Sequence, residues 1–243
     1  MSDSIYREVL GEKEGYVENK VNKNKVLLTG RKPFQNSLFI DKVKLEIYGV
    51  NKNENLEVSV PYSGYYFQLF LGDFNNDGLD EILIRGSKIR SGGGAIGLVY
   101  AFIDGRLKSI FNQEEFNTKY EYSGKYLEDY KVFIKSENLD KKFIIDISLK
   151  ARPYLNLLYH SNGKLKEEKS ITVSHMKSIY PVKPMYFDKY ELIILQSING
   201  VSDVDNLGMV QIIFNLINNR FNITKIGVTS YLDVGDFFSL IEE

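Results

Sequence analysis

Short apolar runs return along this chain at intervals of roughly fifty-five residues, a period in the range of stacked or radially arranged β-units. The runs are Val26-Leu27-Leu28, Ile82-Leu83-Ile84, Phe143-Ile144-Ile145 and Leu192-Ile193-Ile194. Turn signals keep step with them: Asn51 to Asn55, Asp104-Gly105, Asn162-Gly163 and Asn218-Asn219. Asp-Gly and Asn-Gly pairs between apolar segments mark two-residue hairpins, because both central positions tolerate positive φ. Each unit therefore reads as strand, variable loop, strand, tight turn, strand.

The predicted strands are 25–29, 43–48 and 56–60 in the first unit, and 81–85, 98–103 and 106–111 in the second. The third has 143–148, 154–159 and 164–168; the fourth has 191–197, 209–216 and 220–226. Segments 65–71 and 131–135 supply further strands. Seventeen Tyr and fifteen Phe support this β reading, since aromatic and β-branched side chains suit a pleated, half-buried surface. Two short helices are expected, at 112–117, where Asn112 can cap and Glu114 and Glu115 suit a first turn, and at 234–241. The fold class that follows is all-β: a small propeller-like array of about four blades in one domain over 1–243, because radial repetition leaves only short sheet edges. Its units lie near 15–60, 65–111, 131–168 and 184–226. A β-sandwich or irregular barrel is the alternative.

The most specific local feature is Asp73-Phe74-Asn75-Asn76-Asp77-Gly78-Leu79-Asp80-Glu81. Asp73, Asn75 and Asp77 place a side-chain oxygen at every second position, Gly78 allows a sharp turn, and Glu81 returns a carboxylate after the Leu79 carbonyl. That oxygen spacing suits a hard cation such as Ca²⁺, and the loop feeds a strand rather than the exiting helix of an EF-hand. The competing reading is a polar Asn/Asp/Gly turn between two strands.

From Gly72 to Ile84 the sequence resembles the repeat core of FG-GAP and VCBS-type proteins, in which an acidic loop is followed by an apolar blade strand. The resemblance implies a Ca²⁺ site on Asp73, Asn75, Asp77, the Leu79 carbonyl and Glu81, a β-propeller fold, and a cell-surface or extracellular setting. Two eroded copies, 15–30 and 184–196, end in similar apolar runs, but lysines crowd the first and only Asp188 precedes the second strand. Neither is expected to bind Ca²⁺.

Composition narrows the remaining classes. At 43 % hydrophobic and 26 % charged, the chain can bury one large core. A net charge of −1, with basic residues scattered among acids, gives no field for nucleic acid. No cysteine is present, so disulfides and thiolate metal sites are excluded. The N-terminus lacks the apolar core of a signal peptide, and no apolar stretch is long enough to span a membrane. Gly92-Gly93-Gly94-Ala95-Ile96-Gly97 matches a dinucleotide fingerprint, but a strand follows it where a helix is required, so it reads as a loop rim and candidate ligand contact. His160 and His175 are isolated, and Asp203-Val204-Asp205-Asn206 lacks the cation-loop order. The tyrosines of 120–130 suit either core packing or a sugar-binding surface. The expected function is a non-catalytic calcium-binding scaffold or interaction module with a protein or glycan ligand; a glycan-active hydrolase or lyase, or a carbohydrate-binding module, is the alternative.

Overall fold

The computed structural model describes residues 7–50, 54–90, 94–186, 188–230 and 237–239. The strands run β1 (Arg7–Gly15), β2 (Asn24–Arg31), β3 (Asp41–Val50), β4 (Glu54–Ser59), β5 (Tyr65–Gly72), β6 (Glu81–Ser87), β7 (Ala95–Ile103) and β8 (Arg106–Asn112). Helix α1 (Gln113–Lys119) then precedes β9 (Tyr122–Leu127), β10 (Lys131–Ser136) and β11 (Lys142–Asp146). Helix α2 (Arg152–Leu158) leads to β12 (Thr172–Val182), β13 (Glu191–Asn199), β14 (Asn206–Ile217), β15 (Arg220–Ser230) and β16 (Phe237–Ser239).

Four open sheets result, each with its strands in chain order: β1-β2-β3-β4, β5-β6-β7-β8, β9-β10-β11 and β12-β13-β14-β15-β16. The turns that were read from sequence do their work here. Asp104 and Gly105 take φ of 54° and 71° between β7 and β8, and Asn218 and Asn219 take 51° and 59° between β14 and β15. Positive φ at both central positions matches the right-handed twist of the flanking strands, which is why such pairs close hairpins.

The chain divides into two compact units. One comprises Met1–Gln113, Ser178–Leu192 and Asn215–Asn222; the other comprises Glu114–Lys177, Ile193–Phe214 and Ile223–Glu243. In the first unit, alternation along the strands turns Val26 and Leu28 of β2 and Leu45 and Ile47 of β3 to one side. They share a single buried cluster with Leu69 of β5, Ile82 and Ile84 of β6, and Ile96 and Leu98 of β7. Two antiparallel sheets facing across one apolar layer are the sandwich alternative; none of the four sheets closes into a barrel, and a ring of blades is not shown. In the second unit, Phe116 and Tyr120 meet Phe214 edge-on at 6.1 and 5.8 Å.

Several expectations are corrected. Residues 154–159 form helix α2 instead of a strand. Pro153 sits in its first turn, where a missing N–H costs nothing, and Leu155 and Leu158 are buried at helical spacing. Segment 164–168 is not a strand; only a single bridge joins Tyr159 to Leu165. Within 234–241, Phe237–Ser239 pairs with β15 as a strand, and the rest of that predicted helix lies outside the described residues. Strands β1, β9 and β12 were not read from sequence. Helix α1 was, with Glu114 and Glu115 in its first turn and Lys119 in its last.

Candidate functional site

The corner between β5 and β6 brings all five predicted ligand positions together, but it closes on the backbone. Asp73 Oδ1 accepts hydrogen bonds from the Asn76 and Asp77 amides at 2.6 and 3.2 Å, and Oδ2 accepts one from the Gly78 amide at 2.7 Å. Asn75 Oδ1 accepts from Asp77 N–H at 3.0 Å, and Asp77 Oδ1 from Leu79 N–H at 2.8 Å. These are local side-chain-to-backbone turns, available wherever Asp and Asn alternate along a bend. Gly78 sits at φ +84°, as the sharp turn requires.

Glu81 points the other way, into the protein. It is 3 % exposed, and its Oε2 accepts the Phe74 N–H at 2.8 Å. Burial pushes its carboxyl up to about 8, and the nearby Asp77 and Asp73 charges push in the same direction against the Phe74 hydrogen bond. It is therefore protonated more readily than an ordinary carboxylate, and of the corner's other acids Asp77 is exposed while Asp73 and Asp80 are half-buried. Phe74 anchors the loop from beneath: its ring is fully buried among Phe70, Tyr190 and Phe221, with centroids 6.2, 5.8 and 5.8 Å away. Asp80 braces the flank by accepting the Tyr16 N–H at 2.9 Å while its own amide donates to the Tyr16 carbonyl at 2.7 Å. Lys20 lies over Gly78, its Nζ 3.6 Å from where a Cβ would stand. Among the described residues, no group of three or more His, Asp or Glu side chains is placed to hold a metal ion. The expected calcium-binding character is corrected on that ground. Side-chain oxygens of Asp73, Asn75 and Asp77 accept backbone amides, and Glu81 is turned inward.

The other predicted features separate. Gly94 takes φ +77° in the hairpin loop between antiparallel β6 and β7, where no helix follows to receive a phosphate; Ser91 to Gly93 lie outside the described residues. His160 and His175 are both exposed. Of the 120–130 tyrosines, Tyr120 and Tyr126 are buried and Tyr122 and Tyr130 half-buried, so these rings pack into the fold.

Two constellations were not foreseen. In the second unit, Tyr126 and Tyr154 share a hydroxyl hydrogen bond of 2.8 Å, and Tyr154 donates to Asp205 Oδ2 at 2.6 Å. Lys150 reaches Asp205 Oδ1 at 3.4 Å and lies 5.1 Å from the centre of the Tyr154 ring. Burial raises both phenols; for Tyr126, pushed up to about 12, the Tyr154 hydrogen bond opposes the rise, whereas for Tyr154 the hydrogen bonds to Asp205 and Tyr126 add to it. Gly200 makes room for this network: a Cβ there would stand 2.2 Å from Asp205 Oδ2 and 2.4 Å from the Tyr126 hydroxyl. The partners lie far apart in sequence, so no motif signals them, although Asp205 belongs to the 203–206 acidic loop and Tyr126 to the tyrosine-rich 120–130 segment. In the first unit, a charged groove of about 370 Å³ includes Glu46, which accepts from Thr29 and Tyr48 at 2.7 Å each and pairs with Arg7. Desolvation of Glu46 is outweighed by these donors, which hold its carboxyl below the usual range. A second, apolar cleft of about 450 Å³ lies between the 33–39 loop and Arg90.

Fold and site together define an all-β protein of open antiparallel sheets with an amide-closed acidic corner. Residues 120–229 match the family described as YybI C-terminal domain. The chain is also 33 % identical over 171 residues to Uncharacterized protein YybI of Bacillus subtilis (strain 168), an alignment covering 69 % of this chain and 64 % of that protein. The chain thus spans just under two thirds of the length of the curated relative it matches. No solved structure matches. These matches overturn the FG-GAP and VCBS resemblance, with its repeat, propeller and calcium-binding labels: no such family is indicated, and the Asp73 to Glu81 corner lies outside the family-matched residues 120–229. The physical reason is that thirteen residues of acidic turn and apolar strand encode a local bend common to unrelated sheets. Among the described residues no helix is long and apolar enough to cross a membrane.

Proposed function

We propose that this chain is a non-catalytic binding module, with sheets as scaffold and loops as contact surface. The observation that supports this is the saturation of Glu46 and Asp205, the acids at the centre of its two charged clusters. Glu46 accepts from Thr29, Tyr48 and Arg7; Asp205 accepts from Tyr154, the Val201 amide and Lys150. Glycoside hydrolysis needs two carboxyl groups facing each other across a substrate cleft, one of them free to give up a proton. Glu81 has the raised pKa of such an acid, but it is turned onto the Phe74 amide and lines neither of the two clefts.

The test pairs a turnover assay with a binding assay. Incubation with a panel of polysaccharides, followed by reducing-end detection, is expected to give no product, while a thermal-shift screen of small molecules and peptides gives ligands that raise the melting temperature. Turnover that disappears in Glu81→Gln or Glu46→Gln overturns the reading in favour of a glycan-active enzyme.

A further inference from the structure

The apolar cleft in the first unit has a preformed wall. The Ser37 amide donates to the Phe34 carbonyl at 2.9 Å, and the Ser37 hydroxyl bridges the Phe39 backbone, donating to its carbonyl at 2.9 Å and accepting its N–H at 3.0 Å. Ile40 and Gly64 exchange a reciprocal pair of backbone hydrogen bonds at 2.8 and 2.9 Å, which fixes the exit of the loop. Gly64 in turn lets this segment press against the end of β6: a Cβ there would stand 2.2 Å from the Ser87 carbonyl oxygen. Side chains have little freedom to collapse into a cleft whose backbone is tied at both ends.

Its lining is aromatic and aliphatic. Phe39 and Tyr65 meet edge-to-face at 5.4 Å, and Phe34 and Leu38, 63 % and 52 % exposed, also line the cleft. Arg90 is the one charged residue lining the cleft, and among the described residues no carboxylate pairs with it. The contrast with the charged groove of the same unit is direct, because there Arg7 is matched by Glu46 and Lys44 by Glu57. A volume of about 450 Å³ suits a small organic ligand. An apolar slot with a single unmatched guanidinium at its mouth selects an apolar body bearing one negative group, since Arg presents a planar fork that matches a carboxylate.

We propose that this cleft binds a small aromatic carboxylate, with its ring against Phe39 and Tyr65 and its carboxylate on Arg90. This rests on the binding-module reading and gives that module a ligand class. The ring gains offset or edge contacts with the two aromatic side chains, and the guanidinium supplies the charge-assisted hydrogen bonds that orient it.

The test uses 2-naphthoate as the probe and 2-naphthylmethanol as its uncharged counterpart, titrated by isothermal calorimetry and by NMR. The acid is expected to bind with a Kd of about 10⁻⁴ M, in line with the efficiency of small ligands, and several-fold more tightly than the alcohol. Arg90→Ala is expected to weaken the acid at least tenfold and leave the alcohol unchanged, with Arg90→Lys in between. Phe34→Ala, at an exposed position that does not threaten folding, is expected to weaken both. Equal affinity of acid and alcohol, indifference of the acid to Arg90→Ala, or no binding at millimolar probe overturns the inference while leaving the binding-module reading in place. Concentration-dependent dimerisation that protects Phe34 and Leu38 also overturns it, since a second copy would then be the occupant. Chemical conversion of the probe, detected by chromatography, instead defeats the binding-module reading itself.

Discussion

Replacing Glu81 with Gln should make this protein more stable at neutral pH, and the gain should vanish in mild acid. Glu81 is buried, and its carboxyl is raised from the ordinary 4.5 to about 8. Between those two values the folded chain holds a proton that the unfolded chain has released. Stability therefore falls as pH rises, by about 1.4 kcal/mol per pH unit for one such group. The penalty is absent below the unfolded pKa and complete above the folded one. From pH 5 to pH 7 the loss is about 2–3 kcal/mol. Gln keeps an oxygen for the Phe74 amide and cannot ionise, so the variant escapes this loss. Melting curves of both proteins at half-unit pH steps should coincide near pH 5 and separate by roughly 5–10 °C at pH 7, given about 2–4 °C per kcal/mol for a chain of this size. Subtracting the two curves removes the titration of every other acid. Parallel curves, or a Gln variant that is weaker at every pH, would refute the buried-acid account. So would a wild-type stability that rises sharply with millimolar Ca²⁺ and falls below the variant's in chelator, because a bound cation would reverse the sign of the Glu81 term.

Other perturbations probe the same architecture. Phe74→Ala empties a fully buried aromatic site beneath the corner and should cost about 3–5 kcal/mol, read by denaturant unfolding. Gly78→Ala forces a side chain into φ +84° and should cost about 1–2 kcal/mol, with amide exchange at Asn76 to Leu79 accelerating before that of the sheets. Tyr154→Phe leaves the Tyr126 hydroxyl and one oxygen of Asp205 short of a partner, for a loss of about 1–3 kcal/mol measured by chemical denaturation. Gly200→Ala should be worse than Tyr154→Phe, since its Cβ would collide with both Asp205 and Tyr126. A neutral result there would show that the network is looser than its distances indicate.

The sequence determined the elements whose cause is local. Apolar segments bounded by Asp-Gly and Asn-Asn wrote the hairpins β7–β8 and β14–β15, because positive φ at a turn is a property of two adjacent residues. Glu114 and Glu115, suited to a first turn, announced α1 in the same way. Where local signals conflicted, tertiary context prevailed. Residues 154–159 carry Tyr and Leu that suit a strand, yet Pro153 and the burial of Leu155 and Leu158 on one face made a helix. Strand β1 is so polar that only pairing with β2 makes it a strand. The corner shows the division most sharply. Its oxygen spacing is written in nine consecutive residues, but the direction of each carboxylate depends on which amides and rings stand nearby. Glu81 turns inward because the fold offers it the Phe74 amide, and in doing so it gives up its charge. The Tyr126, Tyr154 and Asp205 network and the Phe39, Tyr65 and Arg90 cleft could not be read at all. Each depends on side chains that meet only after distant strands and loops have packed.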